Sequence, residues 1–231
     1  MHGLKYPVPI LLLLLLGAGL AQGDPDFRGW SLEQAAAILN GSPWVRQETY
    51  TRIIGGIGSG IQGEKEIYST YFVRLLSAAP IRRAYARIRQ IQLGYDRLDA
   101  AARARIDSEL QPVLDLDVRD WIVVAVTFRC NEPREEARIE RFFANESTET
   151  ARNRAYLSTT TRARVLVEAY FPPREPLVGA RFVFPRHPDG SPLVSESDRE
   201  LIFELDTPSS ATDLRAVFRV AELEWEGRPE L

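Results

Sequence analysis

Asp120-Trp121-Ile122-Val123-Val124-Ala125-Val126-Thr127-Phe128-Arg129-Cys130 carries the strongest strand signal in the chain. Five consecutive apolar residues follow the Trp, and three of them are Val. Branching at Cβ restricts χ1, which disfavours helix and suits a pleated strand. A buried helix is the competing reading, but helices generally need more than about ten residues. An apolar run without alternation, bounded by charge, predicts a strand covered on both faces. It belongs at the centre of a sheet, with the other elements packed around it.

Working outward, Val45–Ile54 and residues 65–77 alternate loosely and are rich in Thr, Tyr, Ile, Val and Phe, so they predict two more strands. From Ala155 onward the strand pattern returns. Val165 and Val167 alternate with Leu166 and Glu168, and Phe182 and Phe184 share one face. Leu201, Phe203 and Leu205 alternate with Ile202 and Glu204. Phe218 and Val220, then Leu223 and Trp225, predict a last strand with a bulge near Ala221. His187-Pro188-Asp189-Gly190 is a turn, Pro fixing φ and Gly admitting φ > 0. Pro172-Pro173-Arg174-Glu175-Pro176 reads as a stiff connector. The spacing predicts an antiparallel meander.

Helical signals interrupt the strands. Ser31 and Gln34 form a capping-box pattern, Trp30 is placed to staple against Ala35, and Asn40-Gly41 before Pro43 supplies the stop. Trp30 and Trp44 read as core anchors. Residues 80 to about 110 carry apolar side chains at spacings of three and four, from Ile81, Ala84, Tyr85 and Ile88 to Ala102 and Ile106. One long amphipathic helix follows from that stripe, weakened at Gly94 and ended by Pro112. Arg82, Arg83, Arg87 and Arg89 fall mainly off the stripe and predict a solvated basic face. Asn131 can cap a further helix with Pro133 in its first turn, Ile139, Phe142 and Phe143 inward, and Glu132, Glu135 and Glu136 favouring its N-terminal dipole. The fold class is α+β, a mainly antiparallel β-sheet with two or three helices packed on it.

The N-terminus reads as a signal peptide over residues 1–21. Lys5 supplies the positive end, Ile10 with Leu11 to Leu16 the apolar stretch, and Gly19-Leu20-Ala21 the small residues before cleavage. An uncleaved anchor is the alternative, but the apolar run is shorter than the ~20 residues of a comfortable span. No Cys near the cleavage point suggests a lipid anchor. Residues 22–231 then form a single exported α+β domain, periplasmic or extracellular, with no stable membrane insertion. Cleavage removes Lys5 and no acid, so the net charge moves by one from the −3 of the whole chain. This mild acidity argues against a general nucleic-acid binder. Cys130 is the single Cys, so no internal disulfide staples the domain. Arg greatly outnumbers Lys, as codon usage in a GC-rich genome would give.

Three motifs resemble a family of exported bacterial proteins. They are Gly29-Trp30 with Ala-Ala-x-Ile-Leu-Asn-x-Ser-Pro-Trp ending at Trp44; Tyr71-Phe72-Val73-Arg74-Leu75-Leu76-Ser77-Ala78-x-Pro80-Ile81-Arg82; and Phe182-Val183-Phe184-Pro185-Arg186 with Asp189-Gly190. The resemblance implies export and a shared fold over most of the mature chain. It implies no site residues, because that family has no established activity to carry over.

Reactive side chains are few. His187, the one His outside the leader, lies in a turn, and Cys130 ends a buried strand. A Ser-His-Asp triad or a zinc site would have to draw on these two, far apart in sequence. No P-loop or His-Glu-x-x-His pattern occurs. Gly58-x-Gly60-x-x-Gly63 has dinucleotide spacing, but a true fingerprint opens a helix, and Ile67, Tyr68, Tyr71, Phe72 and Val73 favour strand. Residues 55–63 read as a hairpin tip. Asp115, Asp117 and Asp120 precede the central strand, where loop acids can converge for glycoside hydrolysis or calcium. Caps and solubilising charges are the plainer account of them. No catalytic, cofactor-binding or metal-binding residue is assigned. Two functions stand. One is a non-catalytic domain binding an envelope protein or ligand, and the other is a carboxylate-based glycan hydrolase.

Overall fold

The computed structural model describes residues 26–54, 65–174, 178–208 and 213–231. Residues 1–21, which the sequence pattern reads as a leader, and the glycine-rich stretch 55–63 both lie outside the described residues. In chain order the elements are α1 (Leu32–Gly41), β1 (Val45–Ile54), β2 (Lys65–Leu75), α2 (Ala79–Gln92), α3 (Ala100–Leu114), β3 (Trp121–Cys130), α4 (Pro133–Asn145), α5 (Thr148–Arg152), β4 (Ala155–Thr159), β5 (Val165–Leu166), β6 (Ala169–Phe171), β7 (Ala180–Pro185), β8 (Glu200–Leu205), β9 (Leu214–Arg219), β10 (Glu224–Trp225) and β11 (Arg228–Pro229). The class is α+β with antiparallel sheets throughout.

β3 is the middle strand of a five-stranded sheet of order β1-β2-β3-β7-β6. Its residues Ile122 to Val126 are all buried, as the unbroken apolar run requires of a strand covered on both faces. A four-stranded sheet of order β5-β4-β8-β9 covers one face. Phe182 and Phe184 of β7 meet Phe203 of β8, with ring centroids 5.5 and 6.2 Å apart. Register carries this face across the sheet, because Phe182 lies opposite Val124 and Val124 opposite Leu75. At the outer margin Arg46 Nε donates to the Val217 carbonyl at 2.5 Å and the Tyr50 hydroxyl to that of Asp213 at 3.2 Å. These bonds tie β1 to β9, two strands otherwise left as edges.

The other face carries helices α1 and α2. The capping box forms as the sequence predicts, with Ser31 Oγ accepting from Gln34 N and Gln34 Oε1 accepting from Ser31 N. Trp30 and Trp44 are buried, and both meet Trp225 edge-on. The Trp44 indole N–H donates to the Glu230 carbonyl at 2.6 Å.

Several expectations are corrected. The meander is instead two stacked sheets and a separate two-stranded β10–β11 sheet, and among the described residues there are five α-helices rather than two or three. The long helix is two. Gly94 takes a left-handed φ of 70°, a turn of 3-10 helix follows, and Asp99 Oδ1 accepts from Ala102 N to start α3 afresh. The apolar stripe thus spans two helices. Pro112 sits inside the last turn of α3, which runs on to Leu114. Asn131 does not cap α4; its side chain accepts from Tyr68 N and donates to the Glu66 carbonyl, bracing β2 instead. The bulge near Ala221 is a 3-10 turn over Val220–Glu222.

The basic face of the long helix also departs from expectation. Arg82 and Arg87 are buried. Arg82 donates to the carbonyls of Leu114, Leu76 and Ser77. Arg87 donates to the Trp30 carbonyl and both oxygens of Asp96. A guanidinium presents five N–H groups in a planar fork, which a Lys cannot imitate. Arginine therefore has a structural use here that composition does not reveal.

Candidate functional site: a cleft at the free end of the central strand

The cleft arises from an offset between two strands. β7 pairs with β3 only from Pro185–Trp121 to Ala180–Val126. One residue past the last pair, Gly179 approaches so closely that a Cβ there would lie 2.2 Å from the Val126 carbonyl oxygen. Its φ of +73° also favours glycine. Beyond this crossing, Phe128, Arg129 and Cys130 pair with β2, and among the described residues no strand lies on their other side.

α4 folds back along this open edge. Phe143 stacks on Phe128 at 5.8 Å, and Phe142 meets Phe143 edge-on at 5.1 Å. The Tyr170 hydroxyl donates to the Phe143 carbonyl at 2.5 Å, which pins the end of the helix. Burial, with Glu146 nearby, raises the Tyr170 pKa well above its ordinary value, so the phenol stays a donor. The resulting cleft has a volume of about 380 Å³ and a floor of Val126, Phe128, Phe143 and Ala180. Glu136 and Glu140, one helical turn apart, stand on one wall, and Pro173 and Arg174 on the other.

The candidate acids do not converge here. Asp115, Asp117 and Asp120 are exposed. Asp115 follows α3 and accepts from Gln111 Nε2 at 2.6 Å. Asp117 takes Arg119, whose hydrogen bonds hold its carboxyl below the usual range. The backbone carbonyl of Asp120 accepts from Arg186 N. Glycoside hydrolysis needs carboxyls flanking the scissile bond, roughly 5 to 9 Å apart. Glu136 and Glu140 share one wall, and among the described residues no acid lines the wall opposite. His187 is exposed in its turn, while Cys130 is half-buried and receives the Ser69 hydroxyl at 3.5 Å. Among the described residues no three His, Cys, Asp or Glu side chains come together.

One carboxylate that sequence reading passed over is fully engaged. Asp198 is buried and accepts from the backbone N–H and hydroxyl of both Ser195 and Thr161, at 2.7 to 2.9 Å. Burial alone would raise its pKa, but hydrogen bonds from Ser195, Thr159 and Thr161 outweigh it and hold the carboxyl far below the usual range. With its lone pairs taken up by the chain, Asp198 clasps two loops rather than waiting for a ligand.

No protein-family model, characterised protein or solved structure matches the chain. The site must therefore be read from its own geometry.

Proposed function

We propose that the mature protein is exported to the cell envelope and acts there as a non-catalytic binding domain that takes an extended polypeptide segment along the free end of β3. The observation that carries this reading is the unpaired edge of Phe128, Arg129 and Cys130 beside an apolar cleft. Unused main-chain donors and acceptors at a sheet edge recruit another strand, and neighbouring pockets then select its side chains. The aromatic floor suits an apolar side chain. Glu136 and Glu140 favour a Lys or Arg beside it. The leader pattern and the family resemblance support export.

The test is a pull-down from envelope extract with the mature parent and with Glu140→Arg/Ala144→Arg. Both positions are exposed, so the variant should melt like the parent. The parent should capture an envelope protein that the variant loses. Equal capture by both would place the binding surface elsewhere. N-terminal sequencing of the protein recovered from its host should begin near Gln22, and recovery of the full-length chain from the cytoplasm would refute export.

A further inference from the structure

A second cavity, about 190 Å³ in volume, lies on the helix-covered face of the central sheet. Its walls include Leu39, Phe72, Arg74, Tyr85, Ile88 and Arg129. Register places Phe72 opposite Thr127, with Arg74 and Arg129 flanking that pair on the same face. Both guanidiniums lie against the Phe72 ring, at 5.2 and 5.6 Å from its centroid.

Arg74 is only 6% exposed. Its fork donates to the Leu39 carbonyl at 2.7 Å, Thr127 Oγ1 at 2.7 Å and Asn40 Oδ1 at 3.4 Å. All three acceptors are uncharged side-chain or backbone oxygens, and the Tyr85 oxygen lies beside the same fork. Among the described residues no carboxylate pairs with Arg74 or Arg129. Leu39 is near the C-terminus of α1, where the helix dipole offsets about half an elementary charge. Arg129 is exposed and keeps its water, so the charge left only partly compensated is that of the buried Arg74. Removing a charge from water is costly unless an opposite charge and hydrogen bonds replace that solvation.

Tyr85 adds an independent observation. It is 4% exposed, and its hydroxyl is buried without a hydrogen-bond acceptor. Burial pushes the phenol's pKa up while the neighbouring Arg74 opposes the shift, so the hydroxyl keeps its proton. Arg74 can only donate and cannot accept that proton. Buried hydroxyl groups in folded proteins nearly always have partners.

We propose that this cavity binds a small carboxylate. One such anion would face Arg74 and Arg129, accept a hydrogen bond from the Tyr85 hydroxyl and lay a short apolar body against Leu39, Ile88 and Phe72. The volume equals about six waters at ~30 Å³ each, which matches the bulk of a short-chain or monocyclic acid. The two sites meet at Thr127, Phe128 and Arg129, but the strand edge would engage the backbone there while the cavity engages the Arg129 side chain, and the two are disrupted by different substitutions.

Titration calorimetry of the mature protein with propionate, butyrate, benzoate, phosphate and sulfate, at ionic strength matched with chloride, tests the proposal. A carboxylate should bind saturably and raise the melting temperature. Arg129→Gln, at an exposed position, should weaken that binding about ten- to a hundred-fold through loss of a charge-assisted bond. Tyr85→Phe should weaken it several-fold, yet in chloride alone should melt no lower than the parent, since it removes a proton that has no acceptor. Arg74→Gln removes structural bonds as well, so the conclusion rests on the other two variants. Failure of every carboxylate to bind, preference for phosphate or sulfate, or binding unchanged in Arg129→Gln and Tyr85→Phe would overturn it.

Discussion

The two faces of the central sheet are covered by different chemistry. Toward the four-stranded sheet, Val124, Phe182, Phe184 and Phe203 meet in a dry, aromatic contact. Toward the helices, the contact is threaded by buried arginines. Arg74 reaches the Leu39 carbonyl at the end of α1, Arg82 the Leu114 carbonyl at the end of α3, and Arg87 the Trp30 carbonyl just before α1. The cause is geometric. A paired strand has spent its backbone groups on its neighbours and offers only side chains to the layer above. A helix brings its ends, each with up to four backbone groups lacking intrahelical partners. Where those ends dock in the interior, a polar side chain must meet them, and a planar fork on a long stem can satisfy several carbonyls at once. The dry face suits cohesion. The wired face leaves charge in the interior, and it is the face that holds the cavity of Arg74 and Tyr85.

The largest effect is expected on the dry face. Val124 is fully buried between Leu75 and Phe182. Val124→Asp would bury a carboxylate with no partner, at a cost of several kcal/mol against a total stability of about 5–15 kcal/mol. The variant should show no cooperative thermal transition by circular dichroism. A melt like that of the parent would mean that this face is not dry.

A smaller loss is expected where arginine wires the opposite face. Arg82→Lys keeps the charge but loses the fork, so the Leu76, Ser77 and Leu114 carbonyls cannot all be reached. Buried acceptors left unmet cost about 1–3 kcal/mol. Denaturant unfolding should therefore give a lower midpoint with an unchanged slope. A loss well below ~1 kcal/mol would show that charge alone suffices there, and would remove the distinction between the faces.

How far the sequence shows this division depends on the kind of signal. β3 was legible because burial on both faces leaves an unbroken run, and the inward residues of β7 and β8 because a strand alternates. The capping box at Ser31 was legible because it is local. Arg82 and Arg87 carry the pattern of a solvated face, since periodicity reports which way a residue faces on its own helix and not whether another helix end docks over it. The break at Gly94 was visible only as a weakness, because a glycine's φ depends on what surrounds it. Of the candidate site, Phe128 and Phe143 were read as apolar positions. The cleft between them comes from the offset of β7 against β3, which no single strand pattern encodes. The pairing of Arg74 with Tyr85 joins a strand to a helix across a register that the sequence does not state.

Asp198 clasps the loop after β4 to the loop that leads into β8, away from both faces of the central strand. Its pKa is depressed on folding, so its contribution to stability is complete above the ordinary carboxyl value of about 4 and is lost as pH falls toward the lower folded value. The parent's melting temperature should fall between about pH 4 and about pH 2 by more than that of Asp198→Asn, which lacks this titration. Parallel pH profiles for the two proteins would mean that the clasp does not favour the ionised form. The Asn variant should start lower at neutral pH, by about 1–2 kcal/mol, because an amide replaces one acceptor oxygen with a donor among four donors.

The smallest effect concerns the connection between β1 and β2, residues 55–64, which lie outside the described residues. The last pair in that register is Ile54 opposite Lys65. Residues directly opposite in antiparallel strands can be joined by a two-residue turn, and Asn-Gly suits the backbone twist of such a turn. Replacing residues 55–64 with Asn-Gly should therefore leave both layers intact. The closure term changes by only about 0.6 kcal/mol per doubling of length, so a gain on the order of 1 kcal/mol is the most to expect. The same variant tests the glycine spacing at Gly58, Gly60 and Gly63. A dinucleotide fingerprint works by presenting helix N-terminal amides to the pyrophosphate, and the element that follows here is the strand β2. Melting the parent and the shortened protein with and without added dinucleotide should show no ligand-dependent shift in either. A shift in the parent that disappears on shortening would assign the stretch to phosphate binding and make the β1–β2 hairpin, rather than either covered face of the sheet, the place where this protein holds its ligand.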